Sequence, residues 1–279
     1  MKTLRIGAPS FISVRPLLFG ITRRPEKHVH LAYDEPGNLA SSLERGALDA
    51  ALIPSIEFLR GVGAHHIEGP AVIGNNSSSS LILVAKEDIS KVRRIAVDEF
   101  ARTPVVVLRI VLDHLFHVMP DICVAKDVED SWRETFDAVL LTGDRGLRFV
   151  YHQQERAEDE NIYNLSELWH TLASRPLVLS LWAYNDKHLE GALRKVLITS
   201  RNLGVQNLSL LSDGIAQTSE YNGEFLYEQF SKGWRYDLGP GDIEGLKTLE
   251  EYAFRYQLIQ EKRSREGLLV SDFWDASRP

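Results

Sequence analysis

Cysteine is nearly absent from this chain: Cys123 stands alone among 279 residues. One thiol excludes an intrachain disulfide framework and a thiolate metal centre. Flanked by Ile122 and Val124 on a strand-like run, it reads as a buried, inert side chain. No apolar stretch approaches the ~18 residues a membrane span needs. The opening MKTLRIGAPSF has neither an apolar signal core nor a small-residue cleavage site, so the expected location is cytoplasmic. Excess positive charge is missing too: 32 Lys and Arg against 39 Asp and Glu leave a net charge of −7, which argues against nucleic acid or an anionic membrane as partner. There is no G-x-G-x-x-G, no Walker loop and no G-x-S-x-G elbow, so nucleotide binding and serine hydrolysis find no support. What is there is a globular balance, 44% hydrophobic and 25% charged, long enough for one large domain or two ordinary ones.

The apolar runs are strand-like and alternate with helical patterns. Leu4–Gly7 opens a strand, Val29 and Leu31 alternate with polar neighbours in a second, and Leu48–Ile53 is nearly continuous, as in a buried parallel strand. Between the last two, Asn38 caps a helix carrying Leu39 and Leu43, and Gly46 ends it. Pro54-Ser55 starts the next helix. This spacing predicts a parallel, doubly wound sheet. After the apolar strand Leu81–Ala85 the pattern begins afresh, with strands at Arg94–Asp98, Asp121–Ala125 and Asp137–Leu141, a helix over Val105–Phe116, and a long apolar strand at Leu177–Ala183. Beyond it the chain reads as helical to about Arg265, with Leu246, Leu249, Ala253 and Tyr256 forming one stripe and an extended tail after Gly267. The layout resembles a two-lobed α/β fold of the type II periplasmic-binding-protein kind, with a central cleft and two hinge strands. Lobe 1 is expected over 1–84 plus 184–279 and lobe 2 over 85–183, the chain crossing near Leu83–Lys86 and returning near Trp182–Asn185.

Ligands of open α/β sheets bind beyond the carboxyl ends of strands, where helices begin. Ser10-Phe11-Ile12-Ser13, Pro54-Ser55, Arg102-Thr103-Pro104 and Thr142-Gly143-Asp144 all meet that description. Gly74 to Ser80, with Asn75, Asn76 and four serines including Ser79 and Ser80, adds a fifth segment rich in small donors. Hydroxyls beside free helix N–H groups suit a carboxylate, although Ser and Thr serve equally as plain N-caps. Arg15 is a further anion clamp or a solvent-exposed helix residue. His28 and His30 share a strand face and His65-His66 are adjacent, but neither pair has partners that complete a metal set. Asp113-His114 and His117 read as surface, Glu155 to Glu160 as a solvated loop, and Trp169 and Trp182 as cleft lining or core.

The segments Gly46 to Glu57 (GALDAALIPSIE), Ala96-Val97-Asp98 with Arg102-Thr103, Asp137–Leu141 leading to Gly143-Asp144, and Leu165–Trp169 with Pro176–Val178 and Trp182 resemble the chorismate dehydratases of the futalosine route to menaquinone. The resemblance implies the periplasmic-binding-protein-like fold and loss of water from chorismate to give 3-[(1-carboxyvinyl)oxy]benzoate, with no metal or organic cofactor and a small carboxylate as partner. It implies catalytic roles at Ser13 and Ser80, with ligand contacts from Ser10, Phe11, Arg15, Ser55, Asn76, Ser79, Arg102, Thr103, Gly143 and Asp144. The first motif departs from the family's Ser-Tyr-Leu-Asn: here it is Ser10-Phe11-Ile12-Ser13, so Ser13 stands where the family has its catalytic Asn. Asn75 or Asn76 is the candidate replacement amide. The alternatives are a non-catalytic protein that binds chorismate or a related aromatic carboxylate, and a later enzyme of the same pathway. Oligomeric state is not written in the sequence.

Overall fold

The computed structural model describes residues 3–125, 128–129, 132–153 and 160–263. The 155–159 stretch and the segment after Gly267 lie outside them. Strands among the described residues are β1 (Leu4–Ala8), β2 (Val29–Tyr33), β3 (Ala50–Pro54), β4 (His65–Gly74), β5 (Leu81–Ala85), β6 (Arg94–Val97), β7 (Asp121–Val124), β8 (Ala138–Thr142), β9 (Asn161–Asn164), β10 (Leu177–Tyr184) and β11 (Trp234–Leu238). They form two mixed sheets, β11-β4-β10-β3-β1-β2 and β7-β6-β8-β5-β9. The most apolar runs, β3 and β5, are buried at every residue and sit inside their sheets, covered on both faces.

The parallel pairing expected from the sequence holds within β2-β1-β3 and β7-β6-β8. The strands that follow a crossing run the other way: β10 is antiparallel to β3 and β4, and β5 to β8 and β9. Both expected hinge strands exist, but each lies wholly in one sheet, β5 in the second and β10 in the first. The crossings therefore fall at residues 75–80 and 174–176, several residues before the expected positions. An apolar run reports burial, not which sheet buries it.

Five other expectations change. β4 was hidden by Gly69-Pro70, which breaks a simple strand pattern; its partners slip register there, and Gly69 takes φ +96°, so Pro sits at an irregularity where a missing N–H is tolerated. The region past residue 183 is not all helical, because Trp234, Tyr236 and Leu238 point inward alternately and add β11 to the first sheet's edge. Glu35, not Asn38, is the N-cap of helix Pro36–Glu44; Asn38 lies one turn inside and its amide donates to Asp34 (2.8 Å). Cys123 is half-buried rather than buried because β7 is an edge strand. Asp113 and His114 are not free surface residues: Tyr256 donates its hydroxyl proton to Asp113, and His114 Nδ1 lies 2.7 Å from the same oxygen. Trp169 and Trp182 are core.

Helix Arg15–Arg23 is held to helix Glu190–Gln206 by contacts that need small residues. Ser200 Oγ accepts the Ile21 N–H (3.0 Å) and donates to Leu17 O (2.7 Å), bridging the two helices. One turn further, a β-carbon on Gly204 would lie 1.8 Å from Pro16 O. This contact fixes where the first helix starts, and so where Ser13 sits.

Candidate functional site

Both lobes contribute to one cavity of about 400 Å³ between the sheets. Ser10, Phe11 and Ser13 come from the turn after β1, Ser80 from the first crossing, Arg102 and Thr103 from the helix after β6, and Gly143 and Asp144 from the turn after β8. Phe11, Val72, Leu81, Phe100 and Leu179 supply apolar wall, wide enough for a ring. Ser13 is 8% exposed, and its hydroxyl has no hydrogen-bond partner among the described residues, so it is free for a ligand.

Four expected contacts lie elsewhere. Ser55 is fully buried and donates to Val178 O (2.6 Å); the N–H of Ile56 is taken by Thr103 Oγ1 (3.2 Å). The helix start at Ser55 is thus capped by a hydroxyl from the other lobe rather than left open to an anion. Thr103 remains in the cavity wall, but its side chain joins the lobes. Asn76 is exposed and off the cavity, and neighbouring Asn75 ties its loop to β11, donating to Lys232 O (2.9 Å) and accepting from Arg235 (3.3 Å). Neither asparagine replaces the missing amide. Ser79 gives its N–H to Gln229 (3.3 Å), outside the lining. Arg15 opens onto a separate groove with Leu18 and Thr22.

Asp144 reaches across the cleft and accepts the Ile12 N–H (2.9 Å), capping the turn that carries Ser13. Burial pushes its carboxyl above the ordinary 3.8, against the pull of that N–H and of Arg15 and Arg148. A carboxyl raised in the folded state stabilises the fold most below its unfolded pKa and loses that contribution as pH rises through its folded pKa. Asp144→Asn keeps an acceptor for Ile12 and cannot ionise. It is expected to match or exceed the parent's stability at neutral pH and to lack this decline, as read from thermal midpoints between about pH 4 and 7. A variant that loses stability over that window as steeply as the parent would show that Asp144 is not the titrating group.

Arginine provides the cavity's positive charge. Arg145 is paired with Asp98, and Arg148 with Glu220 (2.9 Å) and Glu129 (3.0 Å). Arg102 has no ion pair among the described residues and lies against Gly37 of the first lobe, where a β-carbon would come within 3.1 Å of its Nη2. One guanidinium is therefore free to take a carboxylate at the mouth. Among the described residues no three His, Cys, Asp or Glu side chains are grouped as metal ligands.

The menaquinone-biosynthesis family profile matches residues 4–255, which include every segment that lines this cavity. The chain belongs to that family. Its fold is also that of solved structures at low identity. A protein from Archaeoglobus fulgidus superposes with a TM-score of 0.75 at 14% identity, over 92% of this chain and 98% of that one. The alkanesulfonate-binding protein SsuA from Xanthomonas axonopodis pv. citri, bound to MOPS, gives 0.67 at 14% identity, over 94% and 95%. The periplasmic aliphatic sulphonate binding protein SsuA from Escherichia coli gives 0.64 at 11%, over 94% and 95%. These neighbours establish a periplasmic-binding-protein-like fold for this member of the menaquinone-biosynthesis family.

Sequence reasoning missed Asp98, Phe100, Arg145, Arg148 and Ser180 in this member's cavity. Asp98 directly follows β6, where the strand-end rule applied one segment more widely would have found it. Arg145 and Arg148 are one turn apart on the helix Asp144–Gln153, a spacing that puts both on one face.

Proposed function

We propose that this protein is a chorismate dehydratase, converting chorismate to 3-[(1-carboxyvinyl)oxy]benzoate and water. The observation that carries this reading is the convergence of Ser13, Ser80, Arg102, Thr103, Gly143 and Asp144 on one cavity with an apolar wall. All but Ser13 are positions at which the sequence resembles that group within the family; Ser13 stands where that group carries an Asn. In the reaction the C3–H bond breaks, its electron pair completes the aromatic ring, and the C4–O bond breaks as hydroxide leaves and takes up a proton. Aromatisation drives the step, so the protein's task is to orient the substrate, exclude water and donate hydrogen bonds to the departing oxygen. The substrate's own enolpyruvyl carboxylate is close enough in its structure to accept the C3 proton. Ser13 and Ser80 act as donors, and Arg102 holds a carboxylate.

The second reading is a protein that binds chorismate or a related aromatic carboxylate without turning it over. It is favoured by Ser13, a hydroxyl with one proton where the resembling enzymes carry an amide with two. Incubation with chorismate and mass spectrometry for the dehydrated benzoate separates the two: product supports the enzyme, binding without product the second reading. Ser13→Asn faces the open cavity and adds a donor. It is expected to raise turnover by about tenfold or more, up to the 10²–10³ a preorganised donor contributes. An unchanged rate in a variant that still binds chorismate would remove Ser13 from the catalytic position.

A further inference from the structure

Ser80 is enclosed by donors. Its Oγ lies 3.1 Å from Trp234 Nε1 and 2.9 Å from Ser78 Oγ, and it lines the cavity. Indole N–H can only donate, so Ser80 accepts from Trp234. The second contact has a direction as well. Ser78 is 0% exposed, and among the described residues its hydroxyl has no acceptor other than Ser80 Oγ. Were Ser80 the donor there, the buried Ser78 proton would be left unpaired, which costs more than a hydrogen bond returns. Ser78 therefore donates, and both lone pairs of Ser80 Oγ are filled. The proton of Ser80 has one direction left, into the cavity.

The framework that sets this up is rigid and crosses both sheets. Ser80 O accepts the Gly143 N–H (2.9 Å), Asn164 Nδ2 holds Ser78 O (2.8 Å), and Asn75 N–H binds Gly233 O (3.0 Å) beside Trp234. Trp234 itself is 2% exposed on the edge strand β11, away from the cavity lining.

The geometry points to Trp234 and Ser78 as positioning residues that aim and polarise the Ser80 hydroxyl, making it an obligate donor toward bound substrate. Two donors into one oxygen strengthen the third bond that oxygen makes. This inference rests on the proposal that Ser80 faces the substrate, but its test does not need turnover.

The indole N–H resonance of Trp234, assigned by its loss in Trp234→Phe or by selective labelling, is followed in ¹⁵N-tryptophan-labelled full-length protein. Ser80→Ala is expected to move it upfield in the ligand-free protein, and chorismate, observed before it is consumed, to move it downfield in the parent but not in Ser80→Ala. A resonance indifferent to Ser80→Ala overturns the inference with no ligand present. Dissociation constants for chorismate, taken by rapid mixing before turnover, complete the test. Trp234→Phe and Ser78→Ala are each expected to weaken binding about fivefold in the parent and by less than about twofold on a Ser80→Ala background. Penalties of equal size on both backgrounds mean that the two residues act through packing, and overturn the inference. If Trp234→Phe does not fold, Ser78→Ala carries the cycle. Coupled binding without dehydration of chorismate sinks the proposed reaction and leaves the donor relay standing; absence of chorismate binding sinks both.

Discussion

Ser80→Ala is expected to lower chorismate dehydration by about 10²–10³-fold while weakening chorismate binding by no more than about tenfold. The split follows from what the hydroxyl does. A donor aimed at an oxygen that becomes charged only as its bond breaks contributes most in the transition state and little in the ground state. Binding has other supports: the apolar wall, the free Arg102 and the Ser13 hydroxyl. The same substitution strands two buried donors, Trp234 Nε1 and Ser78 Oγ, at a cost of roughly 1–3 kcal/mol each if no water replaces the oxygen. Thermal unfolding reports that loss, and steady-state kinetics below the midpoint report the rate, so the two effects are measured separately. Equal falls in kcat/KM and in affinity, with kcat unchanged, would make Ser80 a plain binding residue.

Gly204→Ala is expected to destabilise the fold by about 3 kcal/mol, the upper end of the usual cost of overpacking. The added carbon meets Pro16 O at 1.8 Å, and that atom is backbone at the start of a helix, so no rotamer relieves the clash. For a chain of this size the thermal midpoint should fall by roughly 6–12 °C. Relief comes only by moving helix Arg15–Arg23 away from helix Glu190–Gln206, which drags the Ile12–Val14 turn and Ser13 with it. Chorismate affinity should therefore fall in this variant although residue 204 is outside the cavity. Gly214→Ala is the control, since nothing lies within 4 Å of its β-carbon position; in a helix interior it should stabilise by up to about 1 kcal/mol. A Gly204→Ala midpoint within 2 °C of the parent, roughly the shift of a sub-kilocalorie change, would mean the helices slide freely.

The sequence shows most clearly what burial on two faces imposes. β3, β5, β8 and β10 are legible because an interior strand must be apolar almost throughout, and the stripe Leu246, Leu249, Ala253 because one helix face meets the core. β11 was not, since five residues of alternation between helices look like one more helical turn. The site follows the same division. Ser10, Phe11, Ser13, Arg102, Thr103, Gly143 and Asp144 line the cavity because topology sends the carboxyl ends of strands to a cleft whatever the side chains are, and Ser80 lines it from the donor-rich segment that leads into β5. Ser55 was misassigned because an open helix start and one capped by a distant Thr103 read alike in one dimension. Arg145 and Arg148 were missed because a charged helix face toward a wet cavity has the composition of one toward solvent.

The two crossings at 75–80 and 174–176 are the only covalent links between the sheets among the described residues. When one lobe turns about such a pair of links, displacement grows with distance from them, and a group on the link itself hardly travels. Ser80 is such a group, whereas the contacts of Asp144 with Ile12 and of Arg102 with Gly37 span the gap and must be made and broken. On the proposed dehydratase reading with a closing cleft, a substrate would meet a stationary hydroxyl on arrival while enclosure is completed around it, so that the alignment at the leaving oxygen would survive an incomplete closure.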